Sequence, residues 1–115
     1  MLDIKILKDS DYLWVDIKGK LIIEEDGKNL FELVNSNISE ECSNIVLNLK
    51  DLDYINSSGF NNLLKILTKS RSMGGDTFLC NINSVIETLL ITTKLNTIFK
   101  VKNKIENLKD FVNKQ

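Results

Sequence analysis

The 115-residue chain contains no histidine, no proline, only two cysteines and only five glycines. Without an imidazole, the chain cannot build a Ser-His-Asp or Cys-His catalytic centre of its own. Two cysteines and no histidine supply too few soft ligands for a zinc site, so we expect no metal. The sequence also lacks the glycine-rich loops Gly-x-x-x-x-Gly-Lys-Ser/Thr and Gly-x-Gly-x-x-Gly, which cradle nucleotides. We therefore expect a protein that is not an enzyme and that holds no cofactor.

Long apolar runs are missing as well. No run approaches the ~20 residues of a membrane span, and no basic region precedes an apolar signal segment. We expect a cytoplasmic protein without membrane insertion, in which Cys42 and Cys80 remain reduced thiols. The formal net charge of -1 gives no overall attraction to nucleic acid, so we expect partners to be recognised by shape and local charge.

The hydrophobic pattern predicts one domain over residues 1–115, because 43% apolar residues suffice for a single compact core. Alternation of apolar and polar residues indicates strands, and spacing of three and four residues indicates helices. The predicted strands cover residues 2–6, 13–17, 45–49, 77–80 and 98–101, and the predicted helices cover residues 25–38, 60–73, 85–90 and 105–112. This order predicts an α/β fold with a mixed sheet of about five strands and about four helices, opened by an antiparallel hairpin.

Two aromatic residues have alternative interpretations. Trp14 alternates with the apolar residues of the second strand, so its side chain should face away from them. There it is either covered by a neighbouring element or exposed as an interface anchor. Phe60 begins the apolar stripe of the second helix, which favours a core position over a partner contact.

The most informative segment is residues 45–59, in which an apolar strand pattern runs into Asn56-Ser57-Ser58-Gly59 and then into a helix. Free N–H groups and the positive end of the helix dipole stabilise an anionic group there, so a phosphoserine would fit. The alternative is that the hydroxyl of Ser57 or Ser58 only caps the helix. Gly59 is explained by close backbone approach at the start of the helix.

The Asn56-Ser57-Ser58-Gly59 turn, the Leu49-Lys50-Asp51-Leu52 approach, the helix exit at Gly74-Gly75 and the element order together resemble the STAS domain family. This family includes bacterial anti-sigma factor antagonists and the cytoplasmic tails of sulfate transporters. The resemblance implies that Ser57 is the regulatory serine, with Ser58 as the alternative. It also implies that the partner-binding residues are Ile22, Asn56, Ser57, Ser58, Gly59 and Phe60. Asn56 and Ile22 stand where antagonists of this family usually have Asp.

The function implied by the resemblance is that of an anti-sigma factor antagonist, a phosphoprotein that regulates transcription by binding rather than by chemistry. Its implied partners are an anti-sigma factor that is also a serine kinase and binds ATP, and a separate serine phosphatase. Phosphorylation of Ser57 would weaken the complex, and dephosphorylation would restore it. The alternative is a constitutive interaction subunit of a transport or signalling complex, which would bind its partner whatever the state of Ser57.

Overall fold

One mixed six-stranded sheet forms the centre of the computed structural model, which describes residues 2–114. The strands of this described part are β1 (Leu2–Asp9), β2 (Tyr12–Leu21), β3 (Asn44–Asn48), β4 (Leu52–Ile55), β5 (Thr77–Cys80) and β6 (Lys100–Lys102). Its α-helices are α1 (Glu24–Asn35), α2 (Ser57–Ser72), α3 (Ser84–Thr92) and α4 (Leu108–Asn113), and a 3₁₀ turn covers Leu95–Thr97. The mixed α/β fold expected from the sequence is confirmed.

The sheet order is β1-β2-β3-β5-β6, and β4 pairs with β2. β1 and β2 form the predicted antiparallel hairpin, and every other strand pair is parallel. Parallel strands require crossovers, which α1, α2 and α3 supply. This arrangement places the start of α2 directly after β4, beside the end of β2.

β4 is the strand that the sequence analysis did not separate from β3. β2 has ten residues and β3 has five, so the second half of β2 is free to pair with another segment. The chain leaves β3, turns where the Leu52 N–H donates to the Leu49 carbonyl (3.1 Å), and re-enters the sheet beside β2. The strand pattern that was expected to run from residue 45 into the turn at Asn56 is therefore divided into two short strands, and the second one leads to Ser57.

The two faces of the sheet carry separate apolar clusters. Helices α1, α2 and α3 cover the larger cluster, which includes Leu30, Leu63 and Leu90. On the opposite face, Trp14 is 5% exposed and belongs to a cluster with Phe111 of α4. Trp14 therefore faces away from the main core and is covered by a neighbouring element, as one of the two alternatives expected.

The last third of the chain differs from the expected boundaries in two places. Residues 95–97 form a 3₁₀ turn and Ile98 is its C-cap. β6 therefore begins at Lys100 rather than at residue 98. The final helix begins at Leu108, because the Asn107 side chain caps it there. Both cysteines are free and buried, and burial raises the pKa of the Cys80 thiol to about 12. Within residues 2–114, no helix combines the length and apolar character needed to cross a bilayer.

Candidate functional site

The candidate site is the Ser57 turn (residues 56–59), which joins β4 to α2. Asn56 is the N-cap of α2, because its Oδ1 accepts a hydrogen bond from the Gly59 N–H (2.9 Å). Ser57 is the first residue of the helix and Ser58 the second. The alternative in which Ser57 or Ser58 caps the helix is therefore wrong, since Asn56 already fills that position.

The amide nitrogen of Asn56 joins the turn to the β2–α1 loop. Nδ2 donates a hydrogen bond to the carbonyl of Ile22 (3.0 Å), and the Asn56 backbone N–H donates to the carbonyl of Leu21 (3.2 Å). An aspartate at this position could accept from Gly59 but could not donate to Ile22 while ionised. Asparagine thus makes a contact that an ionised aspartate cannot make, and it holds the Ile22 carbonyl beside the turn.

The Ser57 side chain is exposed and is not used to hold the fold. Its hydroxyl makes no hydrogen bond to any residue between 2 and 114, although it stands at the positive end of the 16-residue helix α2. A negative group attached there would be stabilised by the helix dipole and by free N–H groups. Ser57 is therefore accessible to a modifying enzyme and chemically suited to carry a phosphate.

Ser58 occupies a different environment. It is partly buried and lines a groove of about 640 Å³ between α1 and α2, together with Glu24 and Glu32. Its carbonyl accepts a hydrogen bond from Asn62 Nδ2 (3.1 Å) in the same helix. Lys28 and Lys65 line the same groove and balance the two carboxylates, so charge does not separate the two serines. Ser57 is the more accessible of the two because it is exposed and Ser58 is partly buried.

Gly59 and Phe60 form the buried side of the turn. A Cβ atom at Gly59 would lie 2.6 Å from Ile55 Cγ1 and 2.7 Å from the Leu21 carbonyl oxygen, so only glycine fits between β2, β4 and α2. Phe60 is 2% exposed and belongs to the main core. Neither residue presents a side chain to the surface. Each can therefore support the site only by fixing the backbone of the Ser57 turn.

Two exposed apolar residues near the turn were not identified from the sequence. Ile23 is 56% exposed and directly follows Ile22, which is 43% exposed, and Tyr54 is 40% exposed and pairs with Lys20. The signal in the sequence was the pair Ile22-Ile23 directly before the acidic start of α1, where a polar cap is usual. In the described part of the chain, no three His, Cys, Asp or Glu side chains converge to hold a metal ion.

The same fold occurs in solved structures that share little sequence with this chain. A candidate anti-sigma factor antagonist of Thermotoga maritima is 23% identical, covers 98% of this chain and 92% of its own, and has a TM-score of 0.78. The anti-sigma factor antagonist SpoIIAA, unphosphorylated, is 13% identical over 99% of this chain and 95% of its own, with a TM-score of 0.80. The phosphorylated form of the Bacillus cell fate determinant SpoIIAA is also 13% identical. It covers 99% of this chain and 98% of its own, with a TM-score of 0.68.

A sequence model of the STAS domain matches residues 3–108. The match runs from β1 to the first residue of α4 and includes the Ser57 turn. It agrees with the structural likeness over nearly the whole chain. The chain belongs to the STAS domain family.

Proposed function

We propose that this protein is an anti-sigma factor antagonist whose binding is controlled by phosphorylation of Ser57. The observation that carries the proposal is the exposed, unbonded Ser57 hydroxyl at the start of α2, next to Asn56, which is hydrogen-bonded to the carbonyl of Ile22. In the cytoplasm, the unmodified turn docks onto an anti-sigma factor that is also a serine kinase. The kinase binds the ATP, and this chain contributes only the acceptor hydroxyl.

Phosphorylation adds roughly two negative charges to a turn that is neutral before modification. Asn56 carries no charge, so a phosphate on Ser57 changes the turn from zero to about -2. An apolar partner surface would have to desolvate this dianion when the complex forms. If the phosphate disfavours the complex by about 3 kcal/mol, the affinity falls roughly a hundredfold, which suffices for regulation.

The comparisons support this proposal at the level of the fold. Two of the similar structures are of SpoIIAA, one described as unphosphorylated and one as phosphorylated. We infer that this chain also alternates between two such states and that a serine phosphatase returns it to the binding state. The alternative, a constitutive subunit of a transport or signalling complex, would bind equally well in both states.

The test uses the chain with phosphoserine incorporated genetically at position 57 or, as the matched control, at position 58. Binding to the purified anti-sigma factor kinases of the source organism is measured by calorimetry. We expect one kinase to bind the unmodified chain and to bind the Ser57 phosphoprotein roughly a hundredfold more weakly. That kinase should phosphorylate the wild type and Ser58→Ala but not Ser57→Ala, as shown by phosphopeptide mapping. Equal affinity for the modified and unmodified chains would favour the constitutive subunit.

A further inference from the structure

β1 forms a long edge of the sheet. It stands at one end of the strand order, and within residues 2–114 it has a neighbouring strand, β2, on one side only. All eight of its residues, Leu2–Asp9, pair with β2 in one uninterrupted register. Half of its backbone N–H and C=O groups therefore point away from β2, and such a row of groups is a template for another strand.

The strand at the opposite end of the sheet is protected in the usual way. β6 has only three residues, and both of its charged side chains, Lys100 and Lys102, are positive. Short edge strands that carry lysine resist pairing with a second copy. β1 is longer and carries both signs of charge, since it contains two aspartates and two lysines. Its charges can therefore match one register of a second strand while they oppose the others.

The side chains at the start of β1 divide cleanly between the two faces of the sheet. Three apolar side chains pack against the main core and stay partly exposed: Leu2, Ile4 and Ile6. The exposed Asp3 and Lys5 alternate with them and lie on the other face. Residues 2–6 thus present an apolar row on one face and a pair of opposite charges on the other.

This segment is complementary to itself in antiparallel pairing. When two copies pair about a twofold axis at Ile4, that residue stands opposite its own copy, and Leu2 stands opposite Ile6. On the other face, Asp3 of each copy stands opposite Lys5 of the other. Apolar side chains thus meet apolar ones and each carboxylate meets an ammonium group, which are the cross-strand pairs that stabilise antiparallel sheets.

The charges of β2 extend the match beyond the two edge strands. In the register of β1 with β2, Lys5 stands opposite Asp16, and Asp3 stands opposite Lys18. Pairing two copies about Ile4 therefore creates two rows of charges across four strands. Each row reads Asp16, Lys5, Asp3, Lys18, so that the sign alternates at every step.

The neighbouring registers lack this match. Centring the pair on Asp3 or on Lys5 sets that residue opposite an identical charge, and centring it on Ile6 sets Asp3 opposite Asp9. A shift by one residue brings the apolar row of one copy to the charged face of the other. The charges of β1 therefore favour the register about Ile4 over those around it.

We propose that β1 is a dimerisation strand that pairs with β1 of a second copy of this chain about a twofold axis at Ile4. The two six-stranded sheets become one continuous sheet, with the same surface of each copy at the interface. The partly exposed apolar row of each copy is covered by that of the other. This inference does not rest on the proposed function, because β1 contributes no residue to the Ser57 turn.

The first test reverses charges at the interface and follows association by analytical ultracentrifugation. We expect a reversible dimer of the wild type, and dimers of Asp3→Lys and of Lys5→Asp that are each about tenfold weaker or more, because each change sets like charges opposite. An equimolar mixture of the two variants should recover the dimer, since lysines at positions 3 and 5 then face aspartates. Lys8→Asp, the matched control, changes the charge equally outside residues 2–6 and should dimerise like the wild type.

Recovery in the mixture excludes misfolding as the cause of the losses. A wild type that remains a monomer up to about 1 mM would overturn the inference. It would also be wrong if the single variants dimerised as tightly as the wild type, if their mixture stayed monomeric, or if Lys8→Asp lost as much affinity as they did.

The second test fixes the register by disulfide formation. Facing residues of an antiparallel pair stand at a distance that a disulfide can span, and the native Cys42 and Cys80 are buried. A mixture of Asp3→Cys and Lys5→Cys should yield, on oxidation, a dimer linked between positions 3 and 5, identified by mass spectrometry. The control mixture of Asp9→Cys and Lys5→Cys should yield few links between positions 9 and 5. Equal yields in the two mixtures would contradict the register about Ile4.

Discussion

At the scale of single residues, the asparagine side chain explains more of the site than the serines do. The Oδ1 atoms of Asn56 and Asn83 each cap a helix, while their Nδ2 atoms donate to carbonyls of a neighbouring loop or strand. A carboxylate provides only the first of these two contacts. Asn56 therefore both caps α2 and fixes the position of the Ile22 carbonyl.

We predict that Asn56→Asp lowers the free energy of unfolding by about 1 kcal/mol, since it loses the donor to Ile22 and places a carboxylate against that carbonyl. Urea denaturation measures the change. Asn107→Asp is the matched control, because Asn107 accepts a bond from the Asp110 N–H while its nitrogen donates to no residue in 2–114. The control should stay within about 0.5 kcal/mol of the wild type. Equal losses in both variants would show that the bond to Ile22 contributes nothing.

The capping residue could not be chosen from the sequence, although the helix itself could. Asn, Ser and Asp are all good N-caps, and Asn56, Ser57 and Ser58 follow one another. The choice depends on where β4 stops, which is fixed by the bond from the Asn56 N–H to the Leu21 carbonyl. That contact links residues 35 positions apart, so no local pattern reveals it.

At the scale of elements, the packing of β2, β4 and the start of α2 leaves no room for a side chain at Gly59. The nearest atoms to a Cβ there belong to Ile55 and Leu21, and one of them is a backbone oxygen that cannot move aside. The close approach keeps the exposed Ser57 at a fixed distance from the loop that bears Ile22. The site is therefore rigid by packing as well as by hydrogen bonding.

We predict that Gly59→Ala destabilises the protein by about 2 kcal/mol through overpacking, although alanine is the better helix former. Thermal and urea denaturation measure the loss. Asn61→Ala is the control in the same helix, because Asn61 is exposed and the substitution should stabilise by about 0.5 kcal/mol through helix propensity. A Gly59→Ala protein as stable as the wild type would show that α2 can shift away from β2.

The strands show where periodicity suffices and where it fails. The β1–β2 hairpin and β5 were predicted, because apolar alternation or a short apolar run marks each of them. The division between β3 and β4 was missed, since Leu49 and Leu52 are both buried and continue the apolar pattern across the turn. What separates them is the pairing with β2, in which β3 takes the first half and β4 the second.

At the scale of the whole molecule, a charged cluster around Asp76 connects the end of α2, β6 and the segment before β5. Asp76 forms ion pairs with Arg71 at the end of α2 (3.3 Å) and Lys100 of β6 (3.1 Å). Burial raises the pKa of Asp76, but the hydrogen bond from the Thr77 N–H, that from Lys100 and the two positive charges lower it below its ordinary value of 3.8. The cluster thus joins the helix layer to the edge strand β6.

The lowered pKa of Asp76 predicts a definite pH dependence. A carboxyl group whose pKa is lower in the folded state stabilises the protein above its unfolded value of 3.8, and this contribution is lost as the pH falls through the folded pKa. The difference in unfolding free energy between wild type and Asp76→Asn should therefore be largest at neutral pH and shrink below pH 3.8. Urea titrations at several pH values test this. A difference that is constant across the range would contradict it.

The covering of the second face was only partly predictable. Alternation along β2 correctly placed Trp14 opposite the main core, but it left open what lies over it. The answer is the C-terminal segment, which the Asn81 side chain fixes through bonds to the Ile105 carbonyl (2.7 Å) and N–H (2.9 Å). Asn81 and Ile105 are 24 residues apart, so the sequence predicts the helix but not its attachment.

The position of Trp14 has a practical consequence for spectroscopy. It is the only tryptophan, and it lies under α4 on the opposite face of the sheet from α2, seven positions before Leu21 in β2. At about 3.3 Å per strand residue, Trp14 lies roughly 23 Å along β2 from Leu21, whose carbonyl accepts the hydrogen bond from the Asn56 N–H. We therefore expect its fluorescence to report whether the carboxyl-terminal helix is in place and to be insensitive to changes at Ser57. Detecting those changes requires an added fluorophore.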